Sequence, residues 1–541
     1  MAKSYLATSA LPYANGPIHM GHLVEYIQTD IWVRFKKMMG ESALHMCADD
    51  AHGTPIMLSA KARGITPEEL IKEIHHQHES DLRAFGVDFD EYYTTHSKEN
   101  KVLASDIYLK AKEKGAIYTK VIEQAYCNSC AMFLPDRFIK GTCPKCGASD
   151  QYGDNCESCS GSYATKDLVA PYCVSCKETP VTKESEHHFF AVSKYEETIK
   201  TWLDTIKVTD AIKNKLDEWF KDGLRDWDIS RDAPYFGFEI PGEENKFFYV
   251  WLDAPVGYIA TTQHYCEKNG LDVNDIWKDG ETEIHHFIGK DILYFHTLFW
   301  PAMLDVSGYK LPSKVNVHGF LTIGGKKMSK SRGTFITART YLDHLSPEYL
   351  RYYYASKLTG GIDDIDFSFE DFVNKVNADI VNKVVNIGSR LGAILVKKCG
   401  GKLTSPNEEG AELLESIRTD IKAADDPYDS LNTHEAMRVI ISLAERVNKY
   451  VDEQEPWAKV KVSQDDAAAI CTTGLNALLM LSVYLSPVLP QLTDGVFKFL
   501  NCENYSRADI ETTIENHTIN QYEHLAQRIK LEDAQKIQNP S

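Results

Sequence analysis

Eight cysteines between Cys127 and Cys176 constrain the fold of this chain more than any other sequence feature. They form four C-x-x-C pairs, Cys127/Cys130, Cys143/Cys146, Cys156/Cys159 and Cys173/Cys176. The N-terminal stretch lacks the continuous apolar segment of a signal peptide, so we expect a cytoplasmic chain, in which paired cysteines bind metal rather than form disulfides. Four pairs satisfy two tetrahedral Cys₄ zinc sites, and closed sites of this kind are structural. Spacing alone permits three groupings of the pairs.

Outside this segment the chain has the pattern of an α/β domain followed by a helical one. Residues 4–11 (SYLATSAL) suit a buried strand, NGP forms a turn, and an amphipathic helix starts at His19. ALHMCADDAHGT is a second strand, and after an insertion the runs FFYVWLDAP and IHHFIGKDI are strand-like. This βαβ order predicts a doubly wound parallel sheet. The helical pattern stops between about 116 and 228, and from about Asp371 it dominates, which predicts a C-terminal helix bundle.

The first motif with chemical meaning is HMGH, at residues 19–22. Two imidazoles one turn apart, beside the unpaired N–H groups of a helix start, form a site for a phosphate group. Gly21 leaves the backbone open to a flat base. His22 stands where a P-loop requires Gly-Lys, so a Walker-type site is rejected. The alternative is two ordinary core or surface histidines.

A second motif, GGKKMSKSRG at residues 324–333, places four cations in a glycine-flanked loop. Such a loop can close over a triphosphate and neutralise a departing pyrophosphate. A basic run taken alone is usually a solvated turn. Paired with HMGH across a doubly wound domain, it indicates an ATP site.

These motifs resemble the HIGH and KMSKS motifs of class I aminoacyl-tRNA synthetases, the second letter for letter at residues 327–331. The segments ALPYANG, VWLDAP and HFIGKDILYFHTLFWPAML, with the zinc insertion, resemble methionyl-tRNA synthetases from the N-terminus into the bundle. The resemblance implies a Rossmann-type catalytic domain, a zinc-ribbon insertion and an all-α anticodon-binding bundle. The predicted bounds are 1–115 and 229–322 for the catalytic domain, 116–228 for the insertion, 323–370 for the KMSKS and stem-contact region, and 371–541 for the bundle.

The resemblance implies that L-methionine reacts with Mg-ATP to give methionyl-adenylate and pyrophosphate. The methionyl group then passes to the 3′-terminal adenosine of tRNA(Met), initiator or elongator. The protein would supply positioning and charge stabilisation rather than a covalent nucleophile. The expected catalytic residues are His19, His22, Lys327 and Lys330. ATP would be bound by the same four residues and by Gly21, Gly289 and Asp291.

A methionine pocket must hold an ammonium group and a soft, polarizable thioether. Asp50 would pair with the ammonium group, and Tyr13 and Trp251 would contact the sulfur. The residues that match the pocket of the family are Ala10, Leu11, Tyr13, Asp50, Trp251, Ala254, Pro255, Tyr258, Ile292 and His296.

The resemblance also favours a nested grouping of the cysteines, with two zinc ions per chain. Cys143, Cys146, Cys156 and Cys159 would share one ion, and Cys127, Cys130, Cys173 and Cys176 the other. Two groups of histidines lack matched partners in the sequence, so we expect them on solvated faces; they are His75, His76, His78, His187 and His188.

A polar stripe indicates where tRNA docks on the bundle. Asn382, Asn386 and Arg390 recur every four residues, and the segment 371–400 holds five Lys or Arg against two Asp in a chain of net charge −19. This favours local attraction to phosphates, and an exposed tryptophan could stack on an unpaired base. The alternative is a polar helix face with a core tryptophan. The resemblance assigns Asn382, Asn386, Arg390, Pro456 and Trp457 to the CAU anticodon.

Two other functions fit the sequence less well. The synthetases for Ile, Leu and Val usually carry a large editing insertion, whereas the insertion here spans about 110 residues and is filled with zinc pairs. A non-catalytic zinc-containing RNA-binding protein would not need intact HMGH and KMSKS motifs. The apolar run Ala477–Leu485 is too short to span a membrane and predicts a core helix. The chain ends soon after the bundle, so we expect a monomer.

Overall fold

The structure is a computed structural model that describes residues 3–153, 156, 158–159, 161, 163–206, 208–328 and 335–538. Its strands are β1 Ser4–Ser9, β2 Ser42–Asp49, β3 Glu91–Thr94, β4 Ile117–Cys127, β5 Met132–Phe133, β6 Ile139–Thr142, β7 Gln151–Tyr152, β8 Val169–Cys173, β9 Val181–Phe190, β10 Trp227–Asp228, β11 Ser230–Asp232, β12 Lys246–Phe248, β13 Glu283–Gly289, β14 Lys314–His318, β15 Leu321–Ile323, β16 Lys326–Lys327 and β17 Ile365–Phe367.

The α-helices are α1 Met20–Met38, α2 Thr54–Arg63, α3 Pro67–Ala84, α4 Lys98–Glu113, α5 Glu196–Thr205, α6 Asp210–Asp222, α7 Val250–Asn269, α8 Val273–Trp277, α9 Trp300–Ser307, α10 Ala338–Leu342, α11 Pro347–Ala355, α12 Phe369–Lys375, α13 Asn386–Lys398, α14 Glu408–Asp420, α15 Asp425–Asp429, α16 Thr433–Gln454, α17 Pro456–Lys459, α18 Gln464–Leu485, α19 Pro490–Phe499 and α20 Leu531–Gln535. Two segments are π-helical, Phe295–Phe299 and Val376–Val385.

The central sheet has five parallel strands in the order β14-β13-β1-β2-β3. This confirms the doubly wound α/β fold. The strands β1 and β13 are neighbours, but the chain continues from β1 to β2 on one side and from β13 to β14 on the other. A crevice therefore opens at their carboxyl ends, where ligands bind on sheets of this kind.

The cysteine-rich insertion is built on a long antiparallel hairpin of β4 and β9. Beyond it, β6, β7 and β8 form a small separate sheet. The predicted loss of helical pattern is wrong for the end of the insertion, which contains α5 and α6. These helices are amphipathic and bury Ile199, Trp202, Ile212 and Leu216 in the core of the α/β domain, so tertiary packing stabilises two short helices there.

The run FFYVWLDAP, expected as a strand, is divided between β12 and the first turns of α7. A short apolar run cannot by itself distinguish a strand from a buried helix. The helix continues through Pro255 to Asn269, and Gly270 in the left-handed conformation ends it. Trp251 and Pro255 therefore lie on a helix and not on a strand.

The C-terminal part is a helix bundle in which α18 packs against α13, α14 and α16. Among the described residues, one helix, α18, is long enough and apolar enough to cross a membrane. However, 94% of its apolar stretch is buried inside the molecule. It is the core helix that the sequence predicts. The prediction of a helical C-terminal part is wrong for residues 512–530, which form no helix. They run over the bundle and hydrogen-bond to it, as Ile529 N–H does to Asn377.

Candidate functional site

His19 lies at the start of α1, between β1 and the helix, and caps it. Its Nδ1 accepts hydrogen bonds from the N–H groups of Gly21 at 3.1 Å and His22 at 3.3 Å. The ring of His22 stacks on that of His19, with 3.5 Å between ring centroids. The backbone N–H of His19 donates to Nδ1 of His22 at 3.4 Å, so each ring uses Nδ1 as an acceptor.

These hydrogen bonds set the protonation of both histidines. Because Nδ1 accepts in each ring, the neutral imidazole carries its proton on Nε2. Burial lowers the pKa of His19 to about 4. Burial also lowers the pKa of His22, and the charges of His19 and His78 add to that effect. At neutral pH the pair therefore offers two Nε2–H donors with no net charge of its own.

The segment that bears the second motif returns to the first. Met20 donates its backbone N–H to the carbonyl of Ile336, and the N–H of Ala338 bonds to the carbonyl of Ile18. The ring of Phe335 lies 5.0 Å from that of His19. A Cβ on Gly21 would stand 2.7 Å from Met328 Cε, so the end of the Met328 side chain packs closely over this glycine. Both described ends of the KMSKS segment thus meet HMGH. The side chain of Lys327, and Lys330 itself, lie outside the described residues.

A cavity of about 370 Å³ opens between these motifs at the carboxyl ends of β1, β13 and β14. Its walls include the predicted ATP residues His19, Gly21, His22, Gly289 and Asp291. Sequence reasoning missed Glu25, His318 and Met328, which also line it. Oε1 of Glu25 is buried with no hydrogen-bond partner among the described residues. The predicted ATP residues that the structure describes are therefore brought together.

A second cavity, of about 480 Å³, adjoins the first and shares Ala10, Leu11, Tyr13 and Ile292 with it. The predicted methionine residues all line it: Ala10, Leu11, Tyr13, Asp50, Trp251, Ala254, Pro255, Tyr258, Ile292 and His296. Sequence reasoning missed Arg231, Tyr249 and Phe295 in its wall, and also Pro135 and Phe138, which the insertion contributes.

Asp50 lines this second cavity and has a carboxylate oxygen that is free to accept a hydrogen bond from a ligand. Its backbone is fixed by the loop after β1, since its N–H donates to Pro12 and its carbonyl accepts from Ala14. Its Oδ1 is buried without a hydrogen-bond partner among the described residues. Burial raises the pKa of Asp50, and the nearby Asp253 raises it further. An unpaired buried carboxylate is costly, so the site favours a cationic ligand group.

The far end of the second cavity is polar but uncharged. His296 Nδ1 donates to the Ile292 carbonyl at 3.1 Å, so its Nε2 accepts from the hydroxyl of Tyr258 at 2.9 Å. Burial lowers the pKa of His296 to about 4. The ring is therefore neutral at physiological pH. This end suits a polarizable, uncharged side chain such as a thioether.

The eight paired cysteines form two clusters, in the nested arrangement. Cys127, Cys130, Cys173 and Cys176 form the outer cluster, and Cys143, Cys146, Cys156 and Cys159 the inner cluster. Within each cluster the four sulfur atoms lie within 4.8 Å of one another. Tetrahedral zinc with Zn–S bonds of ~2.3 Å requires sulfur atoms ~3.8 Å apart, and the closest sulfur contacts, 3.3–3.9 Å, fit that geometry. The donor sets therefore suit two structural zinc ions.

The stripe Asn382, Asn386 and Arg390 borders a groove of about 530 Å³ on the bundle. The Arg390 guanidinium lies 4.7 Å from the ring centre of Trp457. Trp457 is 38% exposed, which contradicts the alternative of a core tryptophan. Pro456, beside it, is buried and begins α17.

Charge in this groove differs from the count along the sequence. Arg390 pairs with Asp452 at 2.7 Å, and Lys383 pairs with Glu445 at 2.6 Å. Glu453 also lines the groove. The excess of cations within 371–400 is therefore largely balanced by α16, so base recognition here would depend on stacking and hydrogen bonds more than on charge.

The expectation of solvated histidines is wrong for His78, His187 and His188, which are buried. His187 lies between Asp228 and Asp232, at 2.9 Å and 3.2 Å. His75 is half-buried, and His76 is exposed as expected. The partners of the buried rings lie on elements distant in the chain, which sequence spacing does not show.

Comparison with known proteins agrees with this arrangement. Residues 5–392 match the family model of tRNA synthetases class I (M), and residues 400–539 match that of the anticodon binding domain of methionyl tRNA ligase. The fold is similar to Mycobacterium tuberculosis methionyl-tRNA synthetase in complex with methionyl-adenylate (TM-score 0.80, 22% identity, 97% of this chain and 99% of that chain). It is also similar to the apo form from that organism (TM-score 0.73, 20% identity, 98% and 99%). The first family model alone spans more than half of the sequence, and the chain therefore belongs to the class I methionyl-tRNA synthetases.

Proposed function

We propose that this chain activates L-methionine with ATP and transfers the methionyl group to tRNA(Met). The observation that carries the proposal is the pair of adjoining cavities at the switch point of the sheet. One holds two neutral imidazole donors, and the other holds the unpaired carboxylate of Asp50 and an uncharged polar end. The four shared residues, Ala10, Leu11, Tyr13 and Ile292, place the two ligands side by side, as a reaction between them requires.

In the first step, a carboxylate oxygen of methionine forms a bond to the α-phosphorus of ATP, and the bond from that phosphorus to pyrophosphate breaks. Asp50 orients the amino acid through its ammonium group. The Nε2–H groups of His19 and His22 donate to phosphate oxygens whose charge grows during the displacement. Gly289 and Asp291 hold the ribose. Mg²⁺ carried by ATP supplies further neutralisation of the phosphate charges.

The lysines of the second motif complete this proposal. Lys327 and Lys330 would neutralise the departing pyrophosphate, since Met328 between them contacts Gly21 of the first motif. In the second step, the terminal adenosine of tRNA attacks the carbonyl carbon of the adenylate, and AMP leaves. The CAU anticodon would bind at the bundle groove lined by Asn382, Asn386 and Arg390. Trp457, against Arg390, and its neighbour Pro456 would extend this surface.

Methionylation of tRNA transcripts tests this function. A tRNA(Met) transcript should accept methionine, and the same transcript with its CAU anticodon changed should be charged at least tenfold less efficiently. The two transcripts share their acceptor end, so the difference isolates recognition in the bundle. Equal charging of both would contradict the proposed anticodon site, and charging with an amino acid other than methionine would contradict the proposed substrate.

Trp457→Ala should reduce kcat/KM for tRNA about 10–100-fold, because stacking on a base contributes about 1–3 kcal/mol. ATP–pyrophosphate exchange should be unchanged, since the groove lies on the bundle and the exchange site on the sheet. Val462→Ala is the matched control: Val462 is a neighbouring exposed apolar residue outside the groove. A Trp457→Ala protein that charges tRNA normally would place the anticodon site elsewhere.

Two zinc ions per chain should be found by elemental analysis. Cys143→Ser should remove the inner ion and Cys127→Ser the outer one, because each cluster uses a separate set of four sulfurs. Loss of the same ion in both variants would contradict the nested grouping.

The outer cluster should also affect methionine binding. The carbonyl of Phe138, a residue that lines the methionine cavity, accepts from the N–H of Val174, inside the Cys173/Cys176 pair. Cys127→Ser should therefore weaken methionine binding measured by calorimetry more than Cys143→Ser does. Equal affinities in the two variants would show that the outer zinc does not support this wall.

The remaining assignments are also proposals. A cytoplasmic location is in keeping with membership of a family of translation enzymes. The monomeric state stays a prediction, and light scattering would measure the mass of the protein. The domain bounds 1–115 with 229–322, 116–228, 323–370 and 371–541 stay predictions.

A further inference from the structure

His78, on α3, is buried directly behind the turn that leads to the HMGH motif. Its Nδ1 lies 2.6 Å from Oδ1 of Asp49, at the end of β2. Its Nε2 lies 2.6 Å from the carbonyl oxygen of Gly16. Both partners are acceptors, and a neutral imidazole has one N–H only. Two hydrogen bonds of this kind therefore require the doubly protonated imidazolium ion.

The surroundings of Asp49 keep its carboxylate ionised, so that it can pair with the imidazolium ion. Tyr92 donates its hydroxyl to the same Oδ1 at 2.8 Å, and His75 Nδ1 lies 2.7 Å from Oδ2. Burial raises the pKa of Asp49, but its hydrogen bonds to His75 and His78 outweigh this and lower it. Burial likewise lowers the pKa of His78, and the hydrogen bond and charge of Asp49 outweigh that effect and raise it.

Groups on four further elements and on α3 itself face His78. The charged and titratable ones are Asp49 on β2, Tyr92 on β3, His22 on α1, His75 and Asp81 on α3, and Arg339 on α10, which pairs with Asp81. Asp49 and Asp81 favour the charged form of His78 and raise its pKa. The charge of His78 in turn lowers the pKa of His22, on the side of the active site.

The position of Gly16 links this ion to the reaction. Gly16 lies three residues before His19, in a turn that starts where Ala14 N–H bonds to the Asp50 carbonyl at 2.9 Å. We propose that His78 is a positioning residue for adenylate formation: as an imidazolium ion shared by Asp49 and the Gly16 carbonyl, it fixes the turn that carries His19 and places a buried positive charge beside HMGH. This inference rests on the proposed function.

The charge has a second effect on the same site. A positive charge next to His22 disfavours protonation of that ring, which keeps it as the neutral Nε2–H donor described above. His78 therefore acts on ATP through His19 and His22 and not by contact.

Nuclear magnetic resonance of the full chain labelled with ¹⁵N-histidine tests the protonation directly. At pH 7.5 wild type should show a histidine ring with protons on both nitrogens that is missing in His78→Gln. His187, whose two ring nitrogens face Asp228 and Asp232, should give a second signal of this kind, which should persist in the variant. A neutral His78 tautomer at this pH would overturn the inference. This measurement needs neither substrate nor activity, so it tests the protonation of His78 separately from catalysis. Retention of the His187 signal shows that the variant is folded.

Kinetics test the functional half. His78→Gln should lower the kcat of ATP–pyrophosphate exchange about 10–100-fold, because misplacing reacting groups by about 1 Å costs up to that factor. The methionine Kd should change less than threefold, since Asp50 is held by backbone bonds to Pro12 and Ala14. The control is His76→Gln, an exposed histidine on the same helix that does not contact Asp49, which should retain exchange within about twofold.

The pH profile separates charge from shape. Because the active form is protonated, wild-type exchange should fall as pH rises through the raised pKa of His78, and His78→Gln should lack this alkaline limb. Wild-type kcat and an unchanged profile in His78→Gln would overturn the inference and leave the proposed function intact. Absence of methionine-dependent exchange in wild type would overturn the proposed function itself.

Discussion

Replacement of His22 by alanine is expected to lower the kcat of methionine-dependent ATP–pyrophosphate exchange about 10²–10³-fold. That is the usual effect of removing one preorganised donor to a charge that develops in the transition state. The neutral state of His22 makes it such a donor over the whole physiological pH range, since burial keeps its pKa low. We therefore expect no inflection near pH 6.5 from this ring in the wild-type profile.

Met20→Leu is the control for His22→Ala. Met20 lies in the same motif, is fully buried, and differs little from leucine in volume, so exchange should stay within about threefold. If both variants lost activity equally, the effect would reflect damage to the start of α1. If His22→Ala retained wild-type kcat, the proposed phosphate site would be contradicted.

Replacement of Asp50 by asparagine should raise the Kd for methionine about 10²–10³-fold, because truncating one partner of a buried charge pair costs about 2–5 kcal/mol. The same change removes an unpaired buried carboxylate, so the ligand-free variant should be at least as stable as wild type in thermal unfolding. Lost affinity with retained stability is the signature of a ligand-binding carboxylate. A structural carboxylate would give the opposite result, with reduced stability and unchanged affinity.

Acid pH should weaken methionine binding in wild type, as the Asp50→Asn substitution does. Burial and the charge of Asp253 raise the pKa of Asp50, so the ionised form is lost as pH falls through that raised value. Methionine affinity should decline over this range in wild type and be flat in Asp50→Asn. Calorimetry at several pH values measures both curves, and parallel curves would show that another group controls the titration.

Much of the fold can be predicted from local sequence patterns, because the order of β1, α1 and β2 is encoded by contiguous periodicity and turn residues. The exceptions have physical causes. The run that begins α7 is short and mostly apolar, and its helical state depends on the residues between it and Gly270. The helices α5 and α6 are short and are stabilised by packing against a distant core, which no local window contains.

The residues of the candidate site also fall into those that local sequence predicts and those that depend on tertiary structure. Residues of contiguous motifs, such as His19 and Gly289, can be located from the sequence. Phe138 and His78 could not be located, because each reaches the site from an element whose neighbours are set by tertiary structure. Glu25 lies one turn after His22 on α1, so helical spacing could have located it. His78 is the clearest example: its partners are 29 and 62 residues away in the chain.

The central claim is that this site activates methionine, and ATP–pyrophosphate exchange without tRNA, measured with each of the twenty amino acids, tests it most directly. The paired cavities, the unpaired carboxylate of Asp50 and the neutral pair Tyr258 and His296 predict exchange with methionine that exceeds exchange with every other amino acid by at least about tenfold. Exchange that depends on leucine, isoleucine or valine instead, or no exchange with any amino acid, would contradict the account.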